Sequence, residues 1–214
     1  MILVWRLERT ALCVVAGLVL LLGVFVFPDH ARSDDKVDQA GRFIENLAEE
    51  AVDALTEPGI SREERENRFK KLLTEHFAVT TIGQWVLGRY WRMATLEERK
   101  EYLNLFEQML VATYVTRFER YSGETLKVQR TLVDERSGDA MVFSELKRRD
   151  GQSVVSIGWR LRSKGDSFKV VDVLVEGVSM GQTQRSEFAS VIRRHGGEIE
   201  GLLNEMRERV KGNA

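Results

Sequence analysis

The 214-residue sequence contains one cysteine, Cys13, and only two prolines. Because that cysteine lies in the N-terminal segment, the chain from residue 34 onward holds no thiol, which excludes a disulfide, a thiolate nucleophile and a cysteine-ligated metal there. Lysine plus arginine number 32 against 33 aspartates and glutamates, so the net charge is −1 and there is no basic excess for nucleic acid. With 43% hydrophobic residues, the composition is that of a folded protein that relies on an apolar core.

Catalytic and metal-binding motifs are also scarce. The three histidines, His30, His76 and His195, show neither an HExxH motif nor a paired spacing, so the sequence predicts no metal site and no cofactor. A Gly-x-Ser-x-Gly pattern surrounds Ser179, between a predicted strand and a predicted helix. A hydrolase triad in the usual chain order would need His195 as its histidine, and it would need a parallel sheet. The sheet is predicted to be antiparallel, so we interpret Ser179 as a helix cap and predict that the protein is not an enzyme.

The N-terminal segment has the layout of a secretory signal peptide. Two arginines precede an uncharged apolar run from Ala11 to Phe27, and Ala31-Arg32-Ser33 offers small residues before a cleavage site. We therefore expect a cleaved signal peptide over residues 1–33 and a single domain over residues 34–214. The alternative is an uncleaved anchor helix, for which the apolar run is slightly short of the about 20 residues of a membrane span.

Apolar residues at helical spacing predict a first helix over Asp35–Leu55. A second helix follows, and His76 lies on its apolar side. Ser61 with Glu64 and Thr95 with Glu98 form two capping boxes, and the second opens the longest helix, from Leu96 to about Tyr121. A short helix over Thr81–Leu87, capped by Thr80 or Thr81, lies between them.

After Gly123 the apolar period changes from helical to alternating, and four strands joined by tight turns are predicted. Three rows of side chains are expected to share a face of their strand, namely Leu126, Val128 and Leu132, then Val155, Ile157, Trp159 and Leu161, then Val171, Val173 and Val175. Asp172 and Glu176 point to the opposite face and are expected to pair with arginines across the sheet or to be solvated. Two further helices follow. The predicted fold is therefore α+β, with a four-stranded antiparallel sheet packed against helices.

Three blocks of the sequence resemble the MlaC (toluene-tolerance) family of phospholipid-binding proteins. They are Phe77–Thr95 with its VLGRYWR core, Tyr121–Glu124, and Val171–Phe188, in the order that the family shows. The resemblance covers essentially residues 37–210. A hopanoid-associated branch, HpnM, shares these blocks and stays open as an alternative.

This resemblance implies a soluble periplasmic carrier with an NTF2-like cone and an apolar lipid pocket. Such carriers shuttle phospholipid between an outer-membrane lipoprotein complex and an inner-membrane ABC transporter that contains an MCE-domain protein, and so maintain outer-membrane lipid asymmetry. No nucleic acid is expected as a partner. The alternative function is that of an exported NTF2-like adaptor with a solid core, which binds a partner complex through its surface.

The resemblance also assigns the apolar rows to a lipid pocket between sheet and helices. The candidate pocket residues are Trp85, Leu87, Tyr90, Leu103, Phe106, Leu110, Tyr114, Phe118, Val155, Ile157, Trp159, Val171, Val173 and Val175. Whether the space that these side chains face is filled by protein or left for lipid is not decided by the sequence.

Overall fold

The computed structural model describes residues 29–119, 121–149, 154–165 and 167–212, and residues 33–214 form one compact unit. The predicted signal peptide over residues 1–33 lies outside the described residues, apart from the first turns of a helix that begins at Asp29. Within the described part of the chain, no helix combines the length and the apolar character that crossing a bilayer requires.

Seven helices and a five-stranded sheet make up the described residues. The helices are α1 (Asp29–Leu55), α2 (Arg62–His76), α3 (Val79–Leu87), α4 (Arg89–Met93), α5 (Leu96–Phe118), α6 (Met180–Arg194) and α7 (Ile199–Gly212). The strands are β1 (Thr125–Val133), β2 (Ala140–Lys147), β3 (Val154–Lys164), β4 (Ser167–Val175) and β5 (Val178–Ser179), in that spatial order and all antiparallel. The α+β prediction is confirmed.

The capping residues predicted from the sequence locate the start of α5 but not the start of α3. Thr95 and Glu98 form the complete capping box at the start of α5. The predicted threonine cap of α3 is wrong, because that helix begins at Val79 after Ala78 and has no side-chain cap. The physical reason is tertiary: the Ala78 amide donates a 3.0 Å hydrogen bond to the Val170 carbonyl of β4, so the sheet edge fixes where α3 begins.

The predicted strand count of four is one short. Glu176 and Gly177 adopt φ angles of 50° and 78°, and this two-residue turn folds the chain back on β4 to form the two-residue strand β5. Two consecutive residues with positive φ match the right-handed twist of a hairpin, and Gly177 adopts that conformation without strain.

Two bulges change which side chains share a face. In β4, Val173 pairs with Trp159 but Val170 pairs with Leu161, so Val171 lies at the bulge and the fully buried Val170 takes its place on the apolar face. The predicted row of Val171, Val173 and Val175 is therefore wrong at Val171.

The second bulge lies in β1, between Val128 and Arg130. It brings Thr131 opposite the fully buried Val142, whereas Leu132 is 50% exposed. The predicted face of Leu126, Val128 and Leu132 is consequently wrong at Leu132, because an extra residue reverses the alternation beyond it.

Three packed cores hold the described residues together. The sheet core joins α1 to the sheet and consists of Ala40, Ile44, Leu47, Ala140, Val142, Leu161, Phe168 and Val170. The large helical core is formed by the five helices α3, α4, α5, α6 and α7. It contains Val86, Leu87, Tyr90, Ala94, Tyr102, Leu105, Phe106, Phe188, Val191, Ile192, Ile199, Leu202, Leu203 and Met206. The small helical core joins α1, α2 and α5 through Leu55, Phe69, Leu72, Leu73 and Val115.

Candidate functional site

The apolar face of the sheet is covered along only part of its length. Near one end, α1 packs on Leu161 and Val170, both of which are fully buried. Toward the other end, the aligned side chains of Val155, Ile157 and Val175 are only half-buried. Among the described residues, these three belong to none of the packed cores. This end therefore presents apolar surface that the protein itself does not fully cover.

Trp159 and Val173 lie opposite each other at the boundary between the covered and the open part of this face. Both are half-buried and pack against the sheet core. The indole Nε1 of Trp159 donates a 2.9 Å hydrogen bond to the Ser144 hydroxyl, which is itself 3.3 Å from the Ile157 carbonyl oxygen. Ser144 is buried, so this pair satisfies the polar end of the tryptophan and fixes the orientation of its ring.

Three of the predicted residues on α5 lie in one region of the helical packing. Leu110, Tyr114 and Phe118 are half-buried and pack against the small helical core, and Leu110 also packs against the large helical core. Phe77 packs against both this core and the sheet core, so it connects the α5 side chains with the apolar face. β1 begins at Thr125, at the end of the sheet that carries the open apolar surface.

Other predicted residues are packed inside the large helical core. Leu87, Tyr90 and Phe106 are 2%, 4% and 4% exposed, and Leu103 packs against them. The close contact of α3 with α5 depends on Gly83, because a Cβ atom at that position would lie only 2.9 Å from a Leu103 methyl group. The sequence signal for these residues was a helical apolar stripe, which does not specify what covers it.

Tyr102 is a fully buried residue of the large helical core. The Tyr102 hydroxyl donates a 3.0 Å hydrogen bond to the Gly83 carbonyl, and the ring is fully buried beside Phe106 and Phe188. Burial raises the pKa of the Tyr102 hydroxyl well above its ordinary value of 10, because the phenolate would lose its hydration. The hydroxyl therefore acts as a fixed hydrogen-bond donor between the two helices.

Trp85 lies apart from the other predicted residues. It is 43% exposed, the Arg185 guanidinium lies 5.2 Å from its ring centre, and its ring edge closely approaches Gly181 at the start of α6. Arg185 also donates a 3.2 Å hydrogen bond to the Trp85 carbonyl, which fixes α6 against α3. The structure thus places Trp85 at the junction of two helices.

The acidic residue of β4 has a different role from the predicted arginine pairing. Asp172 is buried and accepts hydrogen bonds from the Ser179 hydroxyl at 2.6 Å, the Gly181 amide at 3.1 Å and the Val173 amide at 2.9 Å. Glu176 accepts a 2.6 Å bond from the Ser156 amide. These carboxylates therefore stabilise the segment that connects β4 to α6.

Ser179 is the N-cap of α6, as predicted, because its Oγ accepts a 3.0 Å hydrogen bond from the Gln182 amide. His195 is the C-cap of the same helix. A helix of 15 residues rises by about 22 Å, so His195 is far beyond the reach of a proton transfer from Ser179. The geometry does not form the triad that the Gly-x-Ser-x-Gly pattern would require.

A separate open groove of about 530 Å³ lies between α1, the end of α2 and the start of β4. Its lining consists of Gln39, Arg42, Phe43, Asn46, Glu75, His76, Ser167, Phe168 and Lys169. The volume lies within the range of small-molecule pockets. None of the residues predicted for the lipid pocket lines this groove, and its mixture of charged and aromatic side chains gave no sequence signal.

Comparison with known proteins supports the resemblance. A family model described as "MlaC protein" matches residues 45–208 of the chain. Toluene tolerance protein ttg2D of Pseudomonas putida is 25% identical over 116 residues, which are 54% of this chain and 53% of that protein. The intermembrane phospholipid transport system binding protein MlaC of Haemophilus influenzae is 21% identical over 131 residues, 59% of each chain. The chain thus spans little more than half of the length of these relatives.

The fold also matches a solved structure. A phospholipid-binding protein from Ralstonia solanacearum, solved in complex with a phospholipid, superposes with a TM-score of 0.71 at 20% sequence identity. The match covers 81% of this chain and 98% of that one. At this level of identity, the likeness shows that the two proteins share a fold.

Proposed function

This chain belongs to the MlaC protein family, and we propose that it is a non-catalytic phospholipid carrier of the periplasm. In this proposal an N-terminal signal peptide directs export of the domain over residues 34–214. The carrier takes phospholipid between an outer-membrane lipoprotein complex and an inner-membrane ABC transporter with an MCE-domain protein, and so contributes to outer-membrane lipid asymmetry.

The physical need for such a carrier follows from the hydrophobic effect. Two acyl chains of about 16 carbons each expose some 30 methylenes, and at about 0.8 kcal/mol each this amounts to roughly 25 kcal/mol. A lipid therefore does not cross water unaided at a useful rate. A carrier has to cover the acyl chains with apolar surface while the charged head group stays in water.

The observation that carries the proposal is the open apolar end of the sheet. Val155, Ile157 and Val175 are half-buried side chains on one face, and they belong to none of the cores found among the described residues. Apolar surface that stays partly exposed in a folded domain is typical of a binding site. An acyl chain laid along this row would complete the burial that the helices leave unfinished.

We assign the pocket to two sets of residues. The sheet supplies Val155, Ile157, Trp159, Val173 and Val175, and α5 supplies Leu110, Tyr114 and Phe118. The remaining predicted residues have other surroundings: Leu87, Tyr90, Leu103 and Phe106 stabilise the large helical core, Trp85 contacts Arg185, and Val171 lies at the bulge of β4.

Bound lipid is the direct test. The full chain is expressed in a Gram-negative host, purified without detergent, and examined by native mass spectrometry and by lipid analysis after denaturing extraction. We expect co-purified phospholipid, and uptake of phospholipid by delipidated protein from vesicles of phosphatidylethanolamine and phosphatidylglycerol. Repeated preparations that contain no lipid and take up none would contradict the carrier and would favour an adaptor with a solid core.

A further inference from the structure

Three potential metal ligands from two helices meet beside the open groove. Glu50 of α1 and Glu75 and His76 of α2 each offer one ligand atom, and these atoms all lie within 4.8 Å of one another. His76 Nε2 is 2.9 Å from Glu50 Oε2. Glu75 and His76 also line the groove, so the cluster is open to solvent on one side.

We propose that Glu50, Glu75 and His76 form a binding site for a divalent transition-metal ion of the zinc type. Imidazole nitrogen together with carboxylate oxygen is a donor set that suits zinc, and three protein ligands with a water in the fourth position are typical of zinc sites that stay open. The imidazole distinguishes this cluster from an ordinary group of surface carboxylates, which would favour calcium or magnesium.

The geometry requires only side-chain adjustment. Zinc bonds of about 2.0–2.2 Å place neighbouring tetrahedral ligands about 3.3 Å apart. The 2.9 Å separation of His76 and Glu50 is already close to this value, and Glu75 has to approach by at most about 1.5 Å. Both glutamates are exposed, so their terminal torsions are free to make this change.

The site combines two carboxylates with the C-terminal end of a helix, and two lysines lie nearby. The cluster lies at the C-terminal end of α2, where backbone carbonyls give the helix a partial negative charge. The Lys169 ammonium already donates hydrogen bonds to the carbonyls of Thr74 and Glu75. Lys71 is the main competitor, but its ammonium is 4.0 Å from the Glu75 carboxylate and 72% exposed, so this contact is weak.

A bound ion would connect α1 to α2 across the groove. His76 lies against Phe43, with ring centres 5.8 Å apart, and Phe43 lies 6.1 Å from Phe168 of β4. The metal would therefore tie together elements that border both the sheet core and the small helical core. An ion that binds the folded state and not the unfolded chain raises the thermal midpoint.

The chain contains a natural control for this site. His195 Nε2 lies 3.2 Å from Glu205 Oε1, which is a histidine–glutamate pair like that of His76 and Glu50. The same Glu205 oxygen contacts the Arg194 guanidinium at 3.3 Å, and His195 and Glu205 are in no three-ligand cluster among the described residues. A guanidinium at this position repels a metal ion.

The test is zinc titration of the full chain without an affinity tag. A background of Cys13→Ser and His30→Gln removes every thiol and leaves His76 and His195 as the only histidines. We expect one zinc ion to bind by isothermal titration calorimetry and to raise the thermal midpoint relative to protein in EDTA. His76→Ala and Glu50→Gln should each weaken zinc binding at least about tenfold, since even partners outside the ligand set change affinity by that factor. His195→Ala should leave it unchanged.

Glu75→Gln covers the case in which His76→Ala or Glu50→Gln unfolds the protein, because Glu75 is exposed and its side chain packs in no core among the described residues. Circular dichroism establishes that each variant is folded. The proposal is overturned if zinc does not bind the background protein, if Glu75→Gln binds zinc as tightly as the background, or if His195→Ala weakens binding as much as the cluster variants. None of these outcomes depends on whether the protein carries lipid.

Discussion

The indole Nε1 of Trp159 donates a 2.9 Å hydrogen bond to the hydroxyl of Ser144 on the apolar face of the sheet. Ser144 is 2% exposed, and its neighbour across the strands is Ile157. The pair thus places a satisfied polar group between the covered part of the face and the open part. The bond keeps the large ring in one orientation.

Replacing Ser144 by alanine tests this relationship. We expect Ser144→Ala to lower the free energy of unfolding by about 1–3 kcal/mol, because the partly buried indole N–H loses its acceptor. Urea unfolding followed by tryptophan fluorescence measures the change. Ser156→Ala is the control, since Ser156 is an exposed serine of β3, and it should change the stability by less than about 0.5 kcal/mol. Equal effects of the two substitutions would mean that the hydrogen bond does not stabilise the fold.

Filling the open end of the sheet should exclude lipid. Ile157→Trp adds an indole to the row that no core covers, and we expect bound phospholipid per protein to fall at least about twofold, since the ring takes up the volume of an acyl segment. Val154→Trp is the matched control, because Val154 is 50% exposed and points to the opposite face of the same strand. Lipid extraction with mass spectrometry measures both. Equal lipid content in folded Ile157→Trp and wild type would remove Ile157 from the pocket.

Removing the Asp172 carboxylate should destabilise the connection between β4 and α6. Asp172→Ala abolishes the acceptors of Ser179, Gly181 and Val173, and we expect a loss of about 3 kcal/mol in the free energy of unfolding. Asp172→Asn keeps the oxygen that accepts hydrogen bonds from the Val173 and Gly181 amides. The free energy of unfolding should therefore fall by only about 1 kcal/mol. Chemical denaturation compares the two. Identical losses would show that the charge and the hydroxyl contact matter more than the two amides.

Ser179 should affect stability and not hydrolysis. We expect Ser179→Ala to cost about 1–2 kcal/mol, because α6 loses its N-cap acceptor. Turnover of a nitrophenyl ester should be at the background rate in both wild type and variant, since His195 is at the far end of α6. Turnover by the wild type that disappears in a folded Ser179→Ala protein would establish a catalytic serine.

The contact between α5 and α7 should weaken in acid. Arg207 donates a 2.6 Å hydrogen bond to Glu101, and this bond holds the pKa of Glu101 below its ordinary value of 4.5, although partial burial acts in the opposite direction. Because the folded state keeps the carboxylate ionised at a pH where the unfolded chain takes up a proton, the contribution to stability is complete above 4.5. It is lost as the pH falls through the lower pKa of the folded state.

Glu101→Gln should therefore destabilise the protein more at about pH 6.5 than at about pH 3.5. Urea midpoints of wild type and variant at both pH values measure this difference. Glu97→Gln is the control for the general effect of removing an acid from α5, as Glu97 is 82% exposed and forms a surface pair with Lys100. A difference between wild type and Glu101→Gln that does not change with pH would contradict the role of the charge.

Much of the fold could be predicted because its signals are local. The Thr95 capping box located the start of α5, and the alternation in β3 located a strand whose side chains keep their predicted faces. The helix cap at Ser179 followed from the change of period around it. Interactions between residues three or four apart in a helix, or two apart in a strand, are fixed by backbone geometry that the sequence reports directly.

The surroundings of the candidate site residues could not be predicted, because they depend on how the helices and strands pack. An apolar stripe on a helix is the same whether it meets another helix or a ligand, so Leu87, Tyr90 and Phe106 could not be separated from Leu110 and Tyr114. The strand residues presented a different difficulty. The bulge in β4 exchanges Val170 for Val171, and a bulge forms only when two strands pair with unequal residue counts.

By itself, the sequence determined the α+β architecture, the antiparallel order of the main strands and membership of the MlaC family, since these depend on periodicity, turns and motifs along the chain. Only the tertiary structure decided which valines face the helices and which end of the sheet stays open. It also brought Glu50 to within 2.9 Å of His76, a residue 26 positions away. The reason is that long-range contacts arise from the packing of whole elements, which no local pattern of residues encodes.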